Sequence, residues 1–209
     1  MSIVTLNDRA VRSVTAFGSL NTGSMVFIKK LTASSSSTLS FVNGSSDVVL
    51  DSTYKEYVFT FNNMHPASQS KFSFNASVDT GSNYNVTKTT TVFNAFHYEN
   101  DGNQNVNYDD DDSDIAQGTG FQSLTQYSPN ADNDGCIVGK LHLFNPSSTT
   151  FVKHFISTAN SMHTGGGNPF TSNSFVSGYF NTTSAIDAIQ FKQSSGNIDA
   201  GDICLYGIL

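Results

Sequence analysis

The densest group of side chains able to do chemistry is Tyr108-Asp109-Asp110-Asp111-Asp112-Ser113-Asp114. Carboxylates at this spacing offer the oxygen ligands that a hard cation such as Ca²⁺ gathers six to eight at a time. Asp110, Asp112 and Asp114, at alternate positions, are the candidate ligands. The EF-hand template fails, because no Gly stands at the sixth loop position and no Glu closes at the twelfth. The competing reading is a solvated loop tip whose like charges repel one another. On that reading the expectation is no metal and no cofactor. A second group, Asp132-Asn133-Asp134-Gly135, is an ordinary turn sequence.

No other pattern suggests catalysis. His65, His97, His142, His154 and His163 stand in neither HxH nor HExxH spacing. His142 and His154 sit in strand-like segments and are expected to face each other across a hairpin at Asn145-Pro146-Ser147-Ser148. Gly165-Gly166-Gly167 lacks the Lys-Ser/Thr and the helix of a phosphate-binding loop, since Asn168-Pro169 follows. Glu56 and Glu99 are the only glutamates, so a Glu pair for glycoside cleavage has no further support. No serine occupies a GxSxG elbow. Cys136 and Cys204 lack metal spacing and are expected to be small buried hydrophobes; a disulfide between them would need neighbouring strands. The expectation is a non-enzyme.

What must position these residues is a β framework. Phe (17) and Tyr (8) supply material for a core, while charged residues make up only 13% of the 209 residues. Disorder needs the opposite balance. Net charge is −7, and only Lys29-Lys30 are adjacent cations, so nucleic acid is not an expected partner. No apolar stretch approaches the ~20 residues of a membrane-spanning helix. The N-terminus has no secretory pattern, and synthesis in a cytoplasm is expected.

Along the chain, residues 1–24 follow no single period. Ile3, Val4, Leu6, Val11 and Val14 alternate irregularly with Arg9 and Arg12. The stretch reads as an extended arm and linker, with a first edge strand as the alternative. Strand signals then recur. Tyr57, Phe59 and Phe61 share one face, as do Phe72, Phe74, Ala76 and Val78. Asn43-Gly44 carries the strongest short hairpin signal. Further strands are expected over Met25–Leu31, Thr38–Val42, Thr89–His97, Phe121–Tyr127, Cys136–Phe144, Thr150–Thr158, Phe175–Phe180, Ala188–Gln193 and Asp202–Ile208. The segments Glu99–Asp114 and Ser194–Gly201 are expected to be loops. Roughly ten to twelve short strands predict an all-β, antiparallel two-sheet β-sandwich, jelly-roll-like, as one domain over 25–209.

The C-terminal third carries a resemblance. Gly178-Tyr179-Phe180-Asn181-Thr182-Thr183-Ser184-Ala185-Ile186-Asp187, Ile189-Gln190-Phe191-Lys192 and the closing run from Ser194 to Ile208 resemble marine and cyanobacterial tailed-phage structural proteins. Asp51–Tyr57, Phe61–Pro66 and Leu141–Pro146 match as well, and Cys204 departs from the family pattern. The resemblance implies a β-sandwich virion component without enzymatic activity, made in a host bacterial cytoplasm. It also implies an attachment end, with Ile3, Val4, Leu6, Arg9, Val11, Arg12 and Val14 as the assembly anchor. The expected role is a capsid decoration (cement) protein or related head or tail appendage. Such a chain would form a homotrimer that binds other phage structural proteins, the major capsid or tail protein. The alternative is a tail-fibre tip that binds host-surface carbohydrate through the loops at 97–114 and 127–135.

Overall fold

The structure, a computed structural model, describes residues 24–108, 113–164 and 167–209. The arm at 1–24, apart from Ser24, and its anchor residues Ile3, Val4, Leu6, Arg9, Val11, Arg12 and Val14 lie outside the described residues. The described strands are β1 (Met25–Ser36), β2 (Leu39–Val42), β3 (Glu56–Pro66), β4 (Phe72–Ser77), β5 (Lys88–Tyr98) and β6 (Gln104–Tyr108). They continue with β7 (Gln122–Ser123), β8 (Ile137–Phe144), β9 (Lys153–His163), β10 (Phe170–Phe180), β11 (Ala188–Gln193) and β12 (Ile198–Ile208). Among the described residues no helix is long and apolar enough to cross a membrane.

The strands form an eight-stranded sheet, ordered β1-β12-β3-β8-β9-β10-β5-β6, and a four-stranded sheet, ordered β2-β11-β4-β7. The partners β1/β12, β2/β11, β3/β8 and β4/β7 are nested, and successive pairs alternate between the sheets. A long antiparallel hairpin wound over itself produces this order, which is the jelly roll. Strands β5, β6, β9 and β10 are additions that prolong the large sheet beyond β8.

Alternation along the strands builds the core. Tyr57, Phe59 and Phe61 of β3 are buried, as are Phe72, Phe74 and Ala76 of β4. Phe191 of β11 lies at the centre. Its ring centroid is 5.3 Å from those of both Phe59 and Phe61, 5.8 Å from Phe72 and 6.2 Å from Phe41. Phe74 joins this cluster to Phe155 and Phe180, at 5.1 and 6.1 Å. Edge-to-face rings at such separations add to the area that they bury.

The small sheet meets the added strands where Phe155 of β9 and Phe180 of β10 pack on Phe74 of β4. Elsewhere their inner face mixes the buried apolar Val92, Ala159 and Val176 with polar side chains, several of which bond to the segment after Ser113. Thr90 donates to Gln122 Oε1 at 2.7 Å, Gln126 N donates to Ser174 Oγ at 3.0 Å, and Ser172 donates to Asn94 Oδ1 at 2.6 Å. Two buried lysines flank Phe180 in the same row, Lys88 of β5 and Lys153 of β9. Lys88 Nζ donates to the Gly120 carbonyl at 2.5 Å, and Lys153 Nζ donates to those of Thr182 and Ser184 at 3.2 and 2.6 Å.

Five local expectations are corrected. Gly44 does turn the chain, at φ 77°, yet β2 pairs with β11 and no hairpin forms there. Instead the Gly44 N–H closes a small loop on the Val48 carbonyl. Val78 is 40% exposed, because β4 ends at Ser77. The polar stretch from Glu99 contains β6, and β12 starts at Ile198, inside the expected loop. Phe121–Tyr127 keeps only the two-residue strand β7, since its side chains serve the polar cover.

Candidate functional site on the outer face of the large sheet

The register of the added strands sets their outward side chains in rows. One row runs Tyr108, Phe93, Phe175, Thr158 and Lys140 across β6, β5, β10, β9 and β8. The next runs Thr91, Ser177, Ile156 and His142. On the other side lies Val106, Ala95, Asn173, Asn160 and Val138. Phe93 and Phe175 stack at 4.5 Å and 9° between planes. These apolar groups face outward: Val106 is 68% exposed, Tyr108 53%, Ile156 52% and Phe93 44%.

Outward positions of β6, β5, β10 and β9 carry no Asp, Glu, Lys or Arg. Charge first appears at Lys140 of β8 and Glu56 of β3. Between two rows an open groove of about 500 Å³ is lined by Thr89, Thr91, His154, Ile156, Ser177 and Tyr179. A face that is rich in aromatics and poor in charge has the composition of a protein interface core.

The residues singled out by sequence fall elsewhere. Asp110 and Asp112 lie outside the described residues. Asp114 is described, and its Oδ2 accepts the Tyr108 hydroxyl at 2.9 Å. Among the described residues no three His, Cys, Asp or Glu side chains gather as a metal site. His142 does not face His154: its register partner is Ile156, and its Nδ1 lies 2.5 Å from Glu56 Oε1. The pairing of Leu143 with Phe155 fixes that offset. His65 bridges the Asp132 carbonyl at 2.8 Å and Asp199 at 3.5 Å, and His97 contacts Asp101 at 3.0 Å. Cys136 and Cys204 are free thiols, half-buried rather than fully buried.

His163 is the one histidine inside. Its ring stacks on Phe170 at 4.7 Å, and its Nε2 lies 2.9 Å from Ser161 Oγ. Burial lowers its pKa to about 4. The folded chain therefore refuses a proton that the unfolded chain takes up below about pH 6.5. Its contribution is intact above that pH and declines as pH falls towards 4, by about 3 kcal/mol in all. Urea unfolding of the natural chain and His163→Gln at pH 7 and pH 4.5 measures this. Equal pH dependence in both proteins would refute it.

The outward rows were missed from sequence, although a signal exists. Val92-Phe93, Phe155-Ile156, Phe175-Val176 and Ile137-Val138 are apolar doublets within strands. Alternation sends one member of each doublet inward and the other outward, so repeated doublets mark two apolar faces.

No family model matches the chain, and no curated protein or solved structure matches it either.

Proposed function

We propose that this chain is a non-enzymatic structural protein of a tailed-phage virion, a capsid decoration protein or related head or tail appendage. In this reading its subunits assemble through the outward face of β6, β5, β10 and β9, closing a homotrimer. The rows around Phe93, Phe175 and Ile156, which bear no charged side chain across β6, β5, β10 and β9, carry the assembly part of the reading. The virion part rests on the resemblance of the C-terminal third. An exposed edge such as β6 invites strand pairing, and closed assembly is one way of covering it.

The copy number of the chain relative to the major capsid protein in purified particles tests the decoration role. A simple fixed ratio over the whole shell supports it, and a few per cent or less overturns it. For assembly, sedimentation of Phe93→Asp/Ile156→Asp is expected to show a monomer where the natural chain shows a trimer. A monomeric natural chain sinks that part.

A second reading, a carbohydrate-binding tip, is favoured by one observation. The Phe93–Phe175 stack is flanked on the same face by Asn173 and Asn160, a platform with amides beside it. Glycan-array binding that is lost in the same double variant, with the natural chain monomeric, would favour this reading over assembly.

A further inference from the structure

A second site lies on the other sheet. On the outer side of the four-stranded sheet, Lys192, Ser73 and Ser123 are cross-strand neighbours on β11, β4 and β7. Lys71, Phe121 and Ser194 complete a pocket of about 300 Å³ with them. Two of the ten Lys and Arg residues of an acidic chain thus converge on one small concavity. Among the described residues, neither ammonium pairs with a carboxylate.

Both ammoniums are held in place. Lys71 Nζ donates to the Oγ of the buried Ser113 at 2.7 Å, and Lys192 Nζ sits 4.4 Å above the Phe121 ring. An ammonium has three donors, so each retains others for a ligand. Ser73 and Ser123 spend their protons on the carbonyls of Lys192 and Thr125. Ser194 differs, because its Oγ accepts the Lys71 N–H at 3.0 Å and keeps its own proton to donate.

We infer that this pocket binds a tetrahedral oxyanion, a phosphate or sulfate group, through Lys71 Nζ, Lys192 Nζ and the Ser194 hydroxyl. The chemistry is that of charge-assisted hydrogen bonds, in which lysine acts as a point charge. A net charge of −7 repels anions at long range, so such a ligand needs a local cluster of donors. The pocket is open to solvent, which admits the terminal group of a larger molecule and makes binding weaken with salt.

The test is an NMR titration of the full chain with inorganic phosphate and then inorganic sulfate. Shifts are expected to centre on the amides of Lys71, Ser73, Lys192 and Ser194. Lys71→Gln and Lys192→Gln are each expected to weaken binding about tenfold, the worth of one charge-assisted hydrogen bond. Lys29→Gln/Lys30→Gln, a change at the only adjacent cation pair, leaves it unchanged. Glucose 6-phosphate and glucose 6-sulfate, run against glucose, separate a sugar-borne ester from a free ion. Because an aspartate run directly precedes Ser113 in the sequence, the titration is repeated with Asp109, Asp110, Asp111 and Asp112 each changed to Asn. Absence of shifts in both proteins overturns the proposal, as does equal loss in the Lys29/Lys30 control.

Discussion

Phe191→Ala is expected to lower folding stability by about 4 kcal/mol, the upper range for an aromatic removed from a packed core. Phe191 is fully buried, and its ring meets Phe41, Phe59, Phe61, Phe72 and Phe74 from both sheets. Those five neighbours belong to β2, β3 and β4, of which β3 and β4 are also held by other strands, β12 and β8 on β3 and β7 on β4. They cannot collapse into the void without breaking registers, so the cavity persists and its cost is felt in full. Equilibrium urea unfolding measures the change. A loss below about 1.5 kcal/mol would mean that the sheets move together easily and that Phe191 is not the centre of the packing.

Lys88→Met is expected to raise stability at pH 7 by about 2 kcal/mol, part of the roughly 3 kcal/mol burial penalty that its lowered pKa represents. Lys88 has no accessible surface, and burial lowers its pKa from 10.5 to about 8. The sign follows from proton counting. Between about pH 8 and pH 10.5 the unfolded chain holds a proton on this group that the folded chain has released. Stability from Lys88 therefore rises with pH across that window, and below it the burial penalty is fully present. Met keeps the length of the side chain but not the charge. The variant gives up the bond to the Gly120 carbonyl, which is why the expected gain is smaller than the full penalty. Subtracting the variant's stability curve from that of the natural chain isolates this group from other alkaline titrations. A flat difference between pH 8 and pH 10.5 would refute the assignment.

The sequence showed the strands whose two faces differ in polarity. In β3 and β4 aromatic residues alternate with polar ones, and the inward set was readable directly. Strand β6 was not readable, because Gln104, Asn105, Val106 and Tyr108 are all exposed and give no contrast between faces. Lys88 and Lys153 look like ordinary solvated lysines in their own segments. Their partners are backbone carbonyls of Gly120, Thr182 and Ser184, which only the tertiary fold brings near. The same reason hid the polar cover: Gln122 and Gln126 lie in a segment whose apolar residues suggested a strand. Of the candidate site, the outward aromatic rows were written in the doublets. The meeting of Lys71 with Lys192 depends on β4 lying beside β11, an order that spacing does not reveal.

The nested pairing has a consequence for how the chain comes to exist. Strand β1 finds its partner only when β12 has been made, since Met25 pairs with Ile208 and Ser36 with Ile198. Strand β2 waits almost as long, for β11. At a synthesis rate of about 5–20 residues per second, the early strands stand without these partners for on the order of ten seconds or more. Through that interval Phe41 of β2 and Phe59 of β3 lack the Phe191 ring that covers both in the finished core. Translation time thus sets how long the chain is open to aggregation, and a chaperone that shields short aromatic strands would act before the last strand arrives.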